Sequence, residues 1–377
     1  VARVCRLSGF ATAILLVFAL AGCKQDSNSI RKAIERGDPV IQLPAGETHL
    51  DRPILIPKNS KNIDIRGSLE GSTLVLDPGF KGSAAIEADS VSNVTLSGFS
   101  ITGDRVGMRS DWYLPTKEAA FADYYIASGI IFRNSSNVAI RGIRFLRIRS
   151  FPIIIHATSH SRIDSVTIDF SGTLNLDGHN NTTGGILIEE GSSGFEVSNC
   201  TIRHITGNAI WTHSYARSPR QSDGQIHDNT ITVVGRDAIQ VGHATRVRVE
   251  RNRGDSIGFP ADYIDFAGFG TPVALDTAGN VDHSAYTDNE FTNVAGQCID
   301  LDGFHDGTVT GNRCINQAPS VMQSPGLHFG ILFGNHDPGM TSSNVVVANN
   351  TLRGFAYGGV FLIGDHHRIE GNHFIDV

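Results

Sequence analysis

Ten stretches of the chain repeat one spacing of hydrophobic and polar residues: an apolar residue, two variable residues, a ladder position, one variable residue and a second apolar residue. The ladder positions are Phe99, Ile143, Val166, Cys200, Asn229, Asn252, Asn289, Asn312, Asn350 and Asn372, so the last six are all Asn. Where no loop intervenes, as from 143 to 166, 229 to 252, 289 to 312 and 350 to 372, successive positions lie 22 or 23 residues apart. A fixed period of this length marks a solenoid, in which each unit buries its apolar face against its neighbours.

The residues around the ladder indicate which solenoid. Val197, Ile226, Val249, Val309, Val347 and Ile369 stand three before it, and Ile202, Ile231, Phe291, Cys314, Leu352 and Phe374 two after it. Short β-branched and aromatic runs broken by Gly, Asn, Asp and Ser read as strands. A unit of this length cannot hold both a strand and a full helix, which predicts one β-coil per repeat with parallel strands about 4.8 Å apart. The series Asn229 to Asn372 resembles the short-turn Asn ladders of right-handed parallel β-helix proteins of the pectin-lyase-like superfamily. Over residues 40–377 that resemblance implies an all-β, right-handed parallel β-helix of about ten or eleven coils. Ile30, Ala33 and Ile34 fall at helical spacing within residues 29–36, so a short helix is expected to cap the first coil. Stacked Asn amides bond to the coils above and below, so they are structural and not site candidates.

A second set of strands, each ahead of a ladder segment, carries the chemistry. They read Ile130-Ile131-Phe132-Arg133, Ile153-Ile154-Ile155-His156, Ile186-Leu187-Ile188-Glu189, Ile210-Trp211-Thr212-His213, Ile239-Gln240-Val241-Gly242, Ile264-Asp265-Phe266-Ala267, Ile299-Asp300-Leu301-Asp302, Ile331-Leu332-Phe333-Gly334 and Val360-Phe361-Leu362-Ile363. Their first and third positions are almost all large and apolar and face the core, so the second and fourth point outward. The outward columns are apolar at the two ends and bunch their polar members, Glu189, Trp211, His213, Gln240, Asp265, Asp300 and Asp302, in the middle coils. A merely solvated face would scatter its polar residues along the whole length.

In this register Asp265 and Asp300 stack about 4.8 Å apart, Asp300 and Asp302 about 6.7 Å, and Asp265 and Asp302 about 8 Å. Carboxyls this close repel, which raises at least one pKa and supplies an acid and a base together. Separations of about 6.5 to 9.5 Å suit inverting glycoside hydrolysis. The sequence therefore points first to a glycoside hydrolase acting on a polysaccharide or oligosaccharide. Asp300 or Asp302 is the expected acid and Asp265 the expected base. Trp211 would offer an apolar platform, and Glu189, His156, His213 and Gln240 would position sugar hydroxyls. Inverting hydrolases of the superfamily likewise cluster Asp on adjacent coils, but the polygalacturonase motifs Asn-x-Asp, Asp-Asp, Gly-His-Gly and Arg-x-Lys are not found as a set, so homogalacturonan is not indicated.

Two further classes stay open. A uronate lyase or C5-epimerase would use Tyr263, His213 or His305 as base, with Ca²⁺ held by Asp300, Asp302 and Asp306; the hydrolase needs no cofactor. A non-catalytic carbohydrate-binding or periplasmic metal-handling β-helix is the third. The insertion over residues 104–125, with Trp112, Tyr113, Tyr124 and Tyr125, is read equally as a sugar-binding wall and as a cover for apolar surface.

The first residues carry a separate signal. Arg3 and Arg6 precede an apolar stretch at 10–20, which makes residues 1–22 a secretory signal peptide, too short for a comfortable membrane span. Leu20-Ala21-Gly22-Cys23 resembles a bacterial lipobox, which implies cleavage before Cys23 and lipid attachment to its thiol. Residues 23–39 then form a lipidated N-terminus and capping helix. The chain would be a lipid-anchored cell-envelope protein, with Lys24 favouring the outer membrane. Residues 1–22 hold two Arg and no acid, so the −7 of the whole chain becomes −9 without them, which argues against nucleic acid as a partner. Cys200 and Cys314 occupy core or ladder positions, and with Cys298 are expected to be buried thiols.

Overall fold

A computed structural model describes residues 27–107, 119–124, 126–215, 217–259, 272–317, 328–337 and 340–377. Three parallel sheets run its length, two of 12 strands and one of 13. Each coil contributes one strand to each sheet in turn, which makes the chain a parallel β-helix. The first sheet runs from Val40–Gln42 to Arg368–Glu370 and the second from Gly46–Leu50 to His373–Ile375. The third runs from Ile54–Ile56 to Gly358–Leu362. The capping helix, Asn28–Glu35, buries Ile30 and Ile34 over the first coil as expected.

The core is a set of aliphatic stacks. Ile130, Ile153, Ile186, Ile210, Ile239, Leu275, Ile299 and Ile331 succeed one another on the third sheet, and all are fully buried. The ladder sits at the short turn between the first and second sheets. Asn229 donates its amide to Asn252 at 2.9 Å, Asn252 to Asn289 at 2.9 Å, Asn289 to Asn312 at 2.9 Å, Asn312 to Asn350 at 3.0 Å and Asn350 to Asn372 at 2.9 Å. Each of these Asn also accepts a backbone N–H from the preceding coil, at Cys200, Asn229, Asn252, Asn289, Asn312 and Asn350. Asp228, Arg251, Asp288, Gly311, Asn349 and Gly371, immediately ahead of the ladder Asn, all have positive φ, and this explains the frequency of Asp, Asn and Gly there. Arg251 is the bulky exception, and its guanidinium pairs with Asp228 on the neighbouring turn at 2.8 Å.

The structure corrects two sequence expectations. Cys298 and Cys314 form a disulfide, because the start of the third-sheet strand and the facing second-sheet strand of the same coil bring their Cα atoms to 6.2 Å; among the described residues Cys200 is the free thiol, and it is buried. The strand assigned to residues 264–267 is instead Leu275–Asp282, which pairs with Ile239–Gly242 on one side and Ile299–His305 on the other. Asp265 and Tyr263 lie outside the described residues, as do Cys23 and the signal segment.

Candidate functional site on the third sheet

The outward face of the third sheet divides into two unlike halves. On the N-terminal coils Ile131, Ile154 and Leu187 point outward yet are fully buried, because residues 119–124 lie across them. Glu189 fastens this strap. Its carboxylate accepts the backbone N–H of Phe121 and of Ala122, each at 2.8 Å, and meets His156 Nδ1 at 3.0 Å. Arg133 donates to the Ala122 carbonyl at 2.5 Å, and the Ala119 N–H donates to the Tyr215 hydroxyl at 2.9 Å. Phe121 packs edge-on against Trp211 and against His213, both with ring centroids 5.0 Å away.

Glu189 and Trp211 are therefore not open to a sugar, while His156, half-buried, is engaged with Glu189. Glu189 is fully buried and Trp211 is 7 % exposed, so both serve the strap rather than a sugar. Burial opposes protonation of His156, but the hydrogen bond and charge of Glu189 prevail and raise its pKa above the ordinary value. Burial pushes His213 down to about 4, which keeps it neutral at physiological pH, where it forms the inner edge of the strap. The 104–125 insertion thus acts, in its described part, as a cover over apolar surface.

Beyond the strap the face is acidic. Asp276 stands beside Asp300 in register, and Ala278 beside Asp302, so Asp276 fills the place in the column expected of Asp265. Sequence reasoning chose the wrong one of two similar strings, Ile264-Asp265-Phe266-Ala267 and Leu275-Asp276-Thr277-Ala278. The spacing to the next ladder residue would have decided it: Leu275 stands fourteen before Asn289, as Ile186 stands fourteen before Cys200.

Hydrogen bonds tie the acidic patch together. Asn208 donates to the Gln240 side-chain oxygen at 3.0 Å, and the Gln240 amide donates in turn to Asp276. Asp302 accepts from the Asn335 amide at 3.4 Å. Asp300 is half-buried, and its Oδ1 has no hydrogen-bond partner among the described residues. Gly303 and Gly279, with φ near +74°, carry a bulge just past Asp302 that redirects the chain toward the turn. His305 falls beyond it, in register with Asp282 and bonded to Ser343 at 2.9 Å, while Asp306 accepts the Asn344 amide at 2.6 Å. Neither residue shares the column of the aspartates. Among the described residues, the metal-capable group whose ligand atoms all lie within 4.8 Å is Glu189, Glu190 and His213, not Asp300, Asp302 and Asp306.

Asp237 was missed by the sequence reading. It lies two residues ahead of Ile239, where a bend turns both Ala238 and Ile239 inward and leaves Asp237 beside the outward face; Asn208 and Gln297 occupy the same column. The two adjacent core residues, Ala-Ile or Cys-Ile, were the available sign of that bend. Asp237 is buried, accepts the Val273 N–H at 3.1 Å and faces Arg236 Nε at 3.5 Å. Burial, partly offset by Arg236, raises its pKa to about 6. Asp276 is pushed well above the usual carboxylate range by burial and then by Asp237. Asp300 is likewise pushed well above that range, by burial and then by Asp276 and Asp302. Asp302 also rises through burial, but the amide and backbone of Asn335 hold it back. The patch thus places a proton-holding carboxyl and a more readily ionised one on a single strand.

The chain belongs to the right-handed β-helix region family, whose profile matches residues 62–218 and 175–277. No curated protein matches it closely in sequence. Among solved structures it is similar to the Streptococcus pneumoniae surface protein and adhesin PfbA, at 15% identity and a TM-score of 0.69, covering 93% of both chains. A hyperthermoactive exopolygalacturonase from Thermotoga maritima is similar at 14% identity and a TM-score of 0.63, covering 94% of this chain and 88% of that one. The catalytic domain of a GH87 α-1,3-glucanase is similar at 11% identity and a TM-score of 0.61, covering 94% of this chain and 68% of that one. At these identities the likeness is one of fold.

Proposed function

We propose that the protein is a glycoside hydrolase of the inverting type acting on a cell-envelope or extracellular polysaccharide. The observation that carries this is the carboxyl cluster Asp276, Asp300 and Asp302 on two adjoining strands of the third sheet's outward face, beyond the strap. Asp300 holds its proton and serves as general acid to the glycosidic oxygen. Asp302, stabilised by Asn335, is the base that takes a proton from the attacking water. Their strand positions set them about 6.7 Å apart, within the range that admits a water between base and sugar. Asp276 keeps Asp300 protonated, and Gln240 and Asn208 hold Asp276 in place. The glucanase and polygalacturonase neighbours make this reaction compatible with the fold. Export through residues 1–22 and lipidation of Cys23 remain part of the same proposal, and would put the enzyme where its substrate is.

A second reading, a lyase or epimerase acting on uronates with Ca²⁺, draws on Arg236. Its Nε and Nη1 are buried beside Asp237 without a hydrogen-bond partner among the described residues, and a sugar carboxylate would satisfy them. One assay separates the readings. Protein beginning after Cys23 is incubated with polygalacturonan, α-1,3-glucan and neutral glycans, with and without Ca²⁺, while reducing ends and the ultraviolet absorbance of unsaturated uronate are recorded. Reducing ends without absorbance support the hydrolase. Both together support the lyase, and binding without either signal indicates an adhesin-like role.

A further inference from the structure

Where the third sheet leads into the first, the chain leaves the alternation of the strand. Asn134, Ala157, Glu190 and His243 follow the strand ends of different coils and all have positive φ, 49°, 46°, 55° and 47°. Asn takes this conformation readily; Glu does so at a cost in backbone strain. In a continued strand Glu190 would face away from Glu189. Here the turn brings the two carboxylates together. His213 stands in register with Glu189 on the next strand, and its carbonyl accepts the Glu190 N–H at 3.2 Å. One carboxylate oxygen of Glu189, one of Glu190 and a ring nitrogen of His213 thus all lie within 4.8 Å of one another.

Each group is held in place and keeps capacity for a further bond. Glu189 Oε1 accepts the Ala122 N–H and meets His156 Nδ1, but Oε2 accepts the Phe121 N–H alone and so retains a lone pair. The Tyr215 N–H donates to Glu190 Oε1 at 3.2 Å. His213 Nδ1 is buried and has no hydrogen-bond partner among the described residues. Glu189 is fully buried, whereas Glu190 and His213 are half-buried, so the group has a closed floor and a mouth toward solvent. Two carboxylates facing an unpaired imidazole nitrogen lack a positive charge between them. Ca²⁺ and Mg²⁺ prefer oxygen alone, while imidazole beside carboxylate suits Zn²⁺ and its neighbours in the transition series. Bonds of about 2.0 to 2.2 Å set tetrahedral ligand atoms about 3.4 Å apart, a spacing that small side-chain rotations reach from the separations here.

We infer that Glu189, Glu190 and His213 bind a Zn²⁺ ion, with water in the fourth position. The ion joins two successive coils at the foot of the strap. Glu189 carries the strap's Phe121 and Ala122 N–H groups, Phe121 rests on the His213 ring, and the long turn that begins at Ser214 is tied to Glu190 through Tyr215. His156, on the far side of Glu189, orients that carboxylate as an outer partner. The role is structural. The site lies two strands before that of Asp276 and does not depend on the hydrolase reading.

The test uses untagged protein stripped with a chelator and titrated with Zn²⁺, read by calorimetry and by thermal unfolding. Saturable binding of about one ion per chain is expected, with an unfolding temperature that climbs with the logarithm of free Zn²⁺. Ca²⁺ and Mg²⁺ should produce neither effect. Glu190→Gln keeps an oxygen for the Tyr215 N–H but loses the charge. It should weaken Zn²⁺ binding at least about tenfold and leave metal-free unfolding unchanged. Should that variant misfold, the wild type decides through acylation of its histidines by diethyl pyrocarbonate, mapped by mass spectrometry. Zn²⁺ should shield His213 while His366, whose side chain is 81% exposed, reacts as before. Absence of saturable binding, an equal response to Ca²⁺, undiminished affinity in Glu190→Gln, or shielding of His366 in place of His213 would each overturn the site.

Discussion

At the scale of single residues, the proposed reaction turns on carboxyls that the fold keeps protonated. Asp300 is half-buried with one oxygen unpaired among the described residues, and burial together with Asp276 and Asp302 holds its proton well above the usual carboxylate range. Asn is close in shape to that neutral acid but cannot donate the proton. Asp300→Asn should therefore leave thermal unfolding at or above the wild-type temperature while lowering kcat by about 10² or more; unfolding instead would show that its carboxyl is structural. Asp276→Asn keeps the shape and removes a charge that raises Asp300. The alkaline limb of the pH–rate profile should move to lower pH, and an unmoved limb would dissociate Asp276 from the acid. Much of this site was legible in the sequence: the outward column, Gln240, Asp300 and Asp302 all stand where strand alternation puts them. Asp237 was not, because an alternating pattern does not anticipate a bend that buries two consecutive residues. The burial of Trp211 and Glu189 was also hidden, since a segment far earlier in the chain, around Phe121, covers them.

At the scale of elements, the Asn ladder is the clearest link from sequence to fold. Each Asn in its interior gives its amide to a backbone carbonyl and to the next Asn, and takes a backbone N–H and an amide from the preceding coil. Asn252→Ala would leave those groups buried and unpaired, at a cost of about 1 to 3 kcal/mol. Asn372→Ala, at a half-exposed end where water replaces the lost bonds, should cost clearly less, and equal losses in urea unfolding would deny the ladder its cooperative role. The repeat period gave the sheets their register, but inserted loops broke it. Asn252 to Asn289 spans 37 residues, room for either of two Asp-bearing strings, and only pairing with both neighbouring strands selects Leu275–Asp282. The disulfide was concealed in the same way. Cys298 and Cys314 are separated by 16 residues that lead from the third sheet around the turn to the second, a closure visible only once the coil is drawn. A closed loop of this size is worth about 3 kcal/mol in the chain-entropy account, so a reductant should lower the midpoint of unfolding, and Cys298→Ser/Cys314→Ser should abolish that sensitivity.

For the whole molecule, the acid cluster sets how stability responds to pH. Asp237 titrates near 6 in the folded protein, because burial outweighs Arg236, against an ordinary value of 3.8. The folded state therefore binds this proton more tightly than the unfolded chain. Below pH 3.8 both states carry it and the group has no effect; between 3.8 and about 6 only the folded state does, so stability falls as pH rises; above that the loss is complete. The shift corresponds to about 3 kcal/mol, a sizeable part of a typical folding free energy of about 5 to 15 kcal/mol. Asp276, Asp300 and Asp302 are displaced in the same direction and add to the effect. Asp237→Asn carries no such proton but keeps an oxygen for the Val273 N–H. The variant should thus match the wild type near pH 4, gain on it up to about pH 6 and keep that margin at pH 7, as followed by urea unfolding at each pH. A constant difference across that range would mean that Asp237 is ionised in the folded protein and paired with Arg236, and the wild type would then lose stability on acidification instead.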